Sequence, residues 1–424
     1  MSVIKRKNSY GWVVVFAAFI LMVAVFGTSF SFGVFFKSIE KAFDLSRTTT
    51  SSIISASMVF SGVFAVISGW AVDRYGARII ALLMGLFTGL SLILTSQTNG
   101  AWQLFITYSL LLAIGTGPIY VVTMSTTMKW FEKRRGLAVG IAGSGAGIGQ
   151  MLMAPLAAFF ISNYDWRVAY IIFGVIAWLL MIPASRFLKG NPRDIGVLSD
   201  GIEQTPENLH LPAHGTSPEI LQTTGLSLSQ AIRTRSYWII IVIWFALAVI
   251  VMLTMTHIVP HATDIGYSAG QAAAILSLAG ISSTTGTALM GFVCDRIGRR
   301  TTVVICGLFI SIPLVGLVWS QSLWMLYLFA VLFGLGSGGL STSTVALVGD
   351  ILGVKSIGVL LGTMDVGWWA GAALGPLLGG YIFDVYQSYS LAFIIIAVFI
   401  LLASILVMFI RDEIYYNARR AIRA

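Results

Sequence analysis

Apolar runs long enough to cross a lipid bilayer follow one another almost without pause from residue 10 to residue 410, and no other feature restricts the fold as tightly. A hydrocarbon core about 30 Å thick requires roughly 20 apolar residues per helix, and at that length about twelve helices fit. Inside lipid every backbone N–H and C=O must be satisfied within the segment, which a helix achieves by itself. The expected fold is therefore all-α, a polytopic membrane protein. Composition agrees, with 57% hydrophobic and only 10% charged residues in a chain of 424, against a soluble norm of roughly a quarter charged.

The runs place helices near 10–36, 48–72, 78–97, 101–128, 136–163, 167–187, 236–262, 270–294, 301–319, 323–348, 356–382 and 388–410. Between the sixth and seventh lies a polar, breaker-rich stretch with Asn191-Pro192, Pro206, Pro212 and Pro218, too poor in apolar residues for a core. This divides the chain into an N-terminal six-helix bundle (1–188), a linker (189–235), a C-terminal six-helix bundle (236–411) and a tail (412–424). The net charge of +9 does not form a basic face of the kind nucleic acid requires, because the cations sit in short loops. With both termini in the cytoplasm, only Lys37, Lys41, Arg47 and Arg167 of the 26 Lys and Arg fall outside, the bias that orients inner-membrane proteins. The apolar run after Lys5, Arg6 and Lys7 is too long for a cleaved signal, so the first helix is expected to act as its own targeting element. Cys294 and Cys306 lie without CxxC or His-rich company and are read as packing residues, with no metal and no cofactor expected.

The two halves repeat each other. Residues 69–78 read GWAVDRYGAR and residues 291–300 read GFVCDRIGRR, both GxxxDRxGxR at an offset of 222. These paired loops resemble the signature loop of the major facilitator superfamily. The resemblance implies two pseudo-symmetric six-helix bundles around a central cavity, with one half rocking against the other. In that reading Gly69 and Gly291 permit close helix approach, and Asp73 and Asp295 cap a neighbouring helix or pair with an arginine. Gly76 and Gly298 make the tight turn, while Arg74, Arg78, Arg296 and Arg300 stay in water at the lipid surface. The glycine-rich fifth helix (Gly136, Gly140, Gly143, Gly145, Gly147, Gly149) and eleventh helix (Gly358, Gly362, Gly367, Gly371, Gly375, Gly379) are expected to pack against helices of the opposite half.

Most of the membrane interior is uncharged, which sets Asp365 apart. It lies ten residues beyond Lys355, so about 15 Å of helix rise carries it toward the midplane. An ionisable group at that depth is by default functional. It would bind a proton readily or hold a cationic substrate, unless it merely hydrogen-bonds a neighbouring Ser, Thr or Trp. His257 and His261 flank Pro260 at the end of the seventh helix; histidine there serves a proton path or, the blander reading preferred here, is simply solvated. Tyr120, Gln150, Ser283 and Thr287 offer uncharged hydrogen bonds to a substrate or to neighbouring helices. Trp368 and Trp369 are candidates to line the cavity.

Tyr10-Gly11-Trp12-Val13-Val14, then Ser31 to Lys37 (SFGVFFK), and Asn191 to Gly196 followed by Asp200-Gly201 are similar to segments of the monocarboxylate porters and oxalate/formate exchangers. That resemblance implies transport of small carboxylates, often with a proton or by exchange. The charged residues of those families do not carry over. An Arg of the eighth helix and the acid one turn before it align with Thr287 and Ser283, and a basic residue of the first helix aligns with Phe30. A Lys of the exchangers' eleventh helix falls near Asp365, with its sign reversed. The expectation is a secondary transporter of a small organic acid, proton-coupled, working as a monomer in the plasma (inner) membrane. The alternative is the same carrier for a cationic or zwitterionic substrate paired with Asp365. A membrane enzyme or sensor is disfavoured, since no nucleophile with a partnered base, metal-ligand spacing or phosphate loop occurs.

Overall fold

The computed structural model describes residues 10–131, 135–190, 192, 226–319, 322–352 and 357–410. Among them are twelve helices long and apolar enough to cross a membrane, and no strand. They are α1 (Tyr10–Phe43), α2 (Arg47–Tyr75), α3 (Ala77–Ser96), α4 (Ala101–Trp130), α5 (Arg135–Asn163), α6 (Trp166–Phe187), α7 (Arg235–Asp264), α8 (Ala269–Ile297), α9 (Arg299–Gly316), α10 (Leu323–Leu352), α11 (Ile357–Tyr386) and α12 (Ser390–Leu406). The motif residues Asn191, Arg193 to Gly196, Asp200 and Gly201, most of the linker and the tail lie outside the described residues.

Local chemistry fixes the helix ends. The Ser46 side chain accepts from the Thr49 backbone N–H at 3.2 Å to start α2, and Asp165 accepts from Arg167 N–H at 3.3 Å to start α6. Ser268 and Gln271 exchange side-chain to backbone bonds at 3.2 and 3.0 Å ahead of α8, the reciprocal arrangement that satisfies two orphan donors at once. Between α2 and α3, Gly76 adopts φ 84°, ψ 151°, and between α8 and α9, Gly298 adopts φ 88°, ψ 151°. That region is essentially restricted to glycine, so the repeated motif produces the same turn twice.

Two helices depart from regularity. α1 is interrupted at Ser31, whose Oγ donates to Gly27 O at 2.6 Å; it then continues to Phe43 and closes on Asp44 in a left-handed conformation. α4 contains a π-helical stretch, Phe105–Leu111, and a break at Pro118. Large apolar side chains such as Val66, Leu179, Trp319 and Leu402 are exposed, as a surface facing lipid rather than water requires.

The helices group into two compact units. One holds α1 to α6 with Met255–Gly280, the end of α7 and the start of α8; the other holds the remainder of α7 and α8 with α9 to α12. In the first, α1 lies along α5 and α3 along α6; in the second, α9 packs on α10 and α12.

One of the close backbone seams recurs in both units. In the first, a Cβ on Gly145 would meet Phe19 O, and one on Gly149 would meet Val23 O. In the second, a Cβ on Gly371 would meet Phe245 O, while one on Gly367 would make only ordinary contacts with Ile241, 3.4 Å to Cγ2 and 3.8 Å to O. All four residue pairs obey the 222-residue offset. One turn further on, Gly27 of α1 faces Met153 of α5, whereas Gly375 of α11 faces Val249 of α7. The glycines of α11 thus serve contacts with α7, of their own half, and Gly145 and Gly149 of α5 serve contacts with α1, but α5 also meets a helix of the opposite half as expected, since a Cβ on Gly280 of α8 would meet Gly147 O. Small-xxx-small spacing dictates close approach without dictating the partner.

Candidate functional site

In the second unit, Asp365 stands on α11 more than two turns from either end, with Trp368 one turn further along. The Asp365 side chain is exposed. Trp244 of α7 brings its indole to the Asp365 carboxyl. The contact falls short of full hydrogen-bonding geometry, and among the described residues Trp244 Nε1 is buried without a partner. The Trp244 and Trp368 rings lie 5.5 Å apart at 47°. Nearby on the same pair of helices, Tyr237 Oη donates to Thr363 Oγ1 at 2.9 Å, tying α7 to α11. The result is a carboxyl group beside one indole, itself packed on a second, able to take up a proton or to face a cation. Trp244 carried no signal in the sequence, being one aromatic among many in an apolar run.

Ser283 and Thr287 sit one turn apart on α8. Thr287 Oγ1 donates to Ser283 O at 3.0 Å and to Gly338 O at 3.4 Å, but Thr287 itself remains exposed. Its hydroxyl thus serves α8 and α10, with the oxygen lone pairs still available.

The other candidates belong to the first unit. Tyr120 is exposed, its ring 5.5 Å from Phe26. Gln150 is buried, and its Nε2 donates to Leu276 O at 2.9 Å and Met255 Sδ at 2.9 Å. Its amide N–H is thereby occupied by interhelical bonding. His257 is fully buried, 3.4 Å through Nε2 from Ser51 Oγ, with its ring 5.3 Å from Phe36. The solvated histidine expected at a helix mouth is therefore wrong for His257: α1, extended beyond its apolar run, covers this end of α7. Asp365 and Trp368 share α11, and Ser283 and Thr287 share α8, whereas Tyr120, Gln150 and His257 have separate surroundings.

Of the two signature loops, Gly76 and Gly298 make the turn expected of them. Gly69 has no heavy atom within 4 Å of where a Cβ would lie, and Gly291 makes only an ordinary contact, at 3.7 Å to Thr342 Cγ2. The close approach expected is absent at both: no heavy atom reaches Gly69, and α10 reaches Gly291 only at ordinary contact distance. Arg74 lies over the rings of Trp70 and Tyr75, and Arg296 over Phe292 at 4.3 Å. Both, with Arg78, are exposed, while Arg300 is half-buried. The side chains of Asp73 and Asp295 lie outside the described residues. Among the described residues, no group of three or more His, Cys, Asp or Glu is arranged to hold a metal ion.

The sequence profile of the Major Facilitator Superfamily matches residues 15–289 and 258–422. The chain belongs to the major facilitator superfamily. Among related superfamily members, monocarboxylate transporter 13 of Rattus norvegicus is 27% identical over 401 residues, covering 94% of this chain and 88% of its own length. Monocarboxylate transporter 12 of Homo sapiens is 25% identical over 429 residues, covering 95% and 81%. A solved bacterial homologue of the human lysosomal transporter Spinster, in an inward-facing and unoccupied conformation, matches with a TM-score of 0.76 at 15% identity over 96% of this chain and 98% of its own, a likeness of fold. This superfamily member is an integral membrane transporter, distantly related to the monocarboxylate transporters, and not an enzyme.

Proposed function

We propose that the chain moves a small organic acid of the monocarboxylate type by alternating access, as a monomer, with a proton carried on Asp365. The observation that supports this is the position of Asp365. Asp365 lies eight residues, about two turns, from the start of α11 at Ile357, in an otherwise uncharged stretch of that helix. A carboxyl group so placed is neutral when protonated and charged when it lets the proton go, and a cycle of alternating access couples those two states to the load. The relatives named monocarboxylate transporters support the cargo class. Tyr120, Ser283, Thr287 and Gln150 are the uncharged groups of this reading, Trp368 lines the path, and His257 is the second protonatable group. The bias of Lys and Arg supports both termini in the cytoplasm and residence in the plasma (inner) membrane.

A second reading draws on the indoles. Trp244 beside an exposed Asp365, with the Trp368 ring against Trp244, forms the surroundings a cation prefers, so an amine or zwitterion would pair with Asp365 directly.

Uptake of labelled lactate, acetate and simple amines into proteoliposomes under an inward proton gradient tests both. Carboxylate uptake driven by the gradient and lost in Asp365→Asn is the expected result. Amine uptake alone would refute the organic-acid reading and make Asp365 the counter-charge of the cargo.

A further inference from the structure

The SFGVFFK segment ends on Lys37, whose charge the proposed chemistry does not use. After the interruption at Ser31, α1 continues as Phe32–Phe43, the left-handed Asp44 turns the chain, and α2 begins at Arg47. This tight return brings Lys37, Glu40 and Arg47 onto one surface, where they meet Asp264, the last residue of α7. Arg47 grips the Asp264 carboxylate with both terminal nitrogens, Nη1 to Oδ2 at 2.7 Å and Nη2 to Oδ1 at 3.1 Å. Lys37 Nζ lies 2.5 Å from Asp264 Oδ1, and Arg47 Nε donates to Glu40 Oε1 at 3.3 Å. The Arg47 side chain is 8% exposed, so this is a nearly buried, two-pronged ion pair and not a surface one.

Directly below, the contacts lose their charge. Ser51, one turn into α2 from Arg47, is fully buried against His257, and Phe36 presents its edge to the same imidazole. Deeper still, a Cβ on Gly33 would meet Met255 O. Gln150 holds Leu276 O, Ser277 Oγ donates to Met151 O at 2.9 Å, and Gly280 lies against Gly147 O. Every contact in this series joins Met255–Gly280 to α1, α2 or α5, and all of its formal charge is in the outermost layer.

The geometry points to Arg47 and Asp264, braced by Lys37 and Glu40, as the pair that holds this end of the transport path shut. The bias of basic residues puts this end outside. The pair is a positioning device for the transport cycle and touches no substrate. Because Asp264 takes both Arg47 and Lys37 in direct contact, neutralising it removes three ionic contacts at once and leaves Glu40 as the remaining carboxylate of the group. The layer below, which has no ion pair, then separates without the pair to hold it.

The test requires no knowledge of the cargo, so its failure is distinct from a failure of the proposed function. In a background with Cys294→Ala and Cys306→Ala, Ser51→Cys reports opening of this end through its labelling rate with a membrane-impermeant maleimide applied from outside. Loss of a charge-assisted pair of this kind is expected to raise that rate by about tenfold in Asp264→Asn, while Asp264→Glu keeps the rate near that of the parent. Ser109→Cys, equally buried but in α4, serves as the second reporter and stays protected in all variants. An unchanged rate at Ser51→Cys in Asp264→Asn would overturn the assignment. So would labelling of both cysteines in step, since the pair would then be supporting the fold as a whole.

Discussion

Replacing Gly149 by alanine tests the seam between α1 and α5 most directly. The added Cβ would be driven into the Val23 carbonyl oxygen and would lie 2.9 Å from Gly27 N, both backbone atoms with no rotamer to move aside. Carbon to oxygen contacts relax only near 3.3–3.6 Å, so the two helices would have to part by about 1 Å along the seam, a gap that forfeits up to about half of each dispersion contact. The expected cost is about 1–3 kcal/mol, as for other overpacked cores. Gly69→Ala is the matched control. It too lies inside a helix, but its Cβ would meet no heavy atom within 4 Å, so only the better helix propensity of alanine acts, worth up to about 1 kcal/mol in the stabilising direction. The assay is thermal inactivation in detergent, following the monodisperse fraction by size exclusion for parent, Gly149→Ala, Gly371→Ala and Gly69→Ala. The reasoning requires the first two variants to melt below the parent and the third at or above it. Gly149→Ala melting level with Gly69→Ala would refute it.

The duplicated turn gives a further expectation: Gly76→Ala and Gly298→Ala each force a side chain into a glycine-only region and should destabilise by about 1–3 kcal/mol in the same thermal assay. Trp130→Phe keeps the ring that packs 5.4 Å from Tyr10 but removes the Nε1–H donated to Lys189 O at 2.8 Å. Its expected cost is about 1 kcal/mol, measured by the same melting curves, and a loss as large as that of Trp130→Ala would show that the hydrogen bond is the whole effect.

Helix number and placement were legible because a span through lipid is dictated by apolar length alone, and the twelve expected segments fall on the twelve observed. The exception is instructive. The expected end of the first helix at residue 36 falls short of Phe43 because Lys37, Glu40 and Lys41 break the apolar run, yet Lys37 and Glu40 find their partners in Asp264 and Arg47. A hydropathy reading sees a charge and cannot see the opposite charge that reaches it after more than 200 residues. Likewise the burial of His257 depends on Ser51 and Phe36, which no local pattern links to it. Gly76 and Gly298 were readable because the constraint there is conformational and local to the turn. Gly69 and Gly291 were misread because close approach depends on a neighbouring helix. Asp365 stood out in the sequence by charge alone, but its indole neighbour Trp244 emerges only when α7 and α11 lie side by side.

The two backbone seams also bear on how duplicated chains drift apart. A contact made to carbonyl oxygens has no stake in the side chains that follow from them. Val23 in one copy corresponds to Phe245 in the other, and the close approach of Gly149 and Gly371 to their carbonyl oxygens is the same. At the next turn even the gap has changed owner, being left open by Gly27 on α1 in the first copy and by Gly375 on α11 in the second. What descends from the ancestral half is thus a spacing, held in common between two helices, and either helix is free to surrender its bulk to preserve it. Residue-by-residue alignment of the halves would score that position as a mismatch twice over, although it is where their shared ancestry is still mechanically in force.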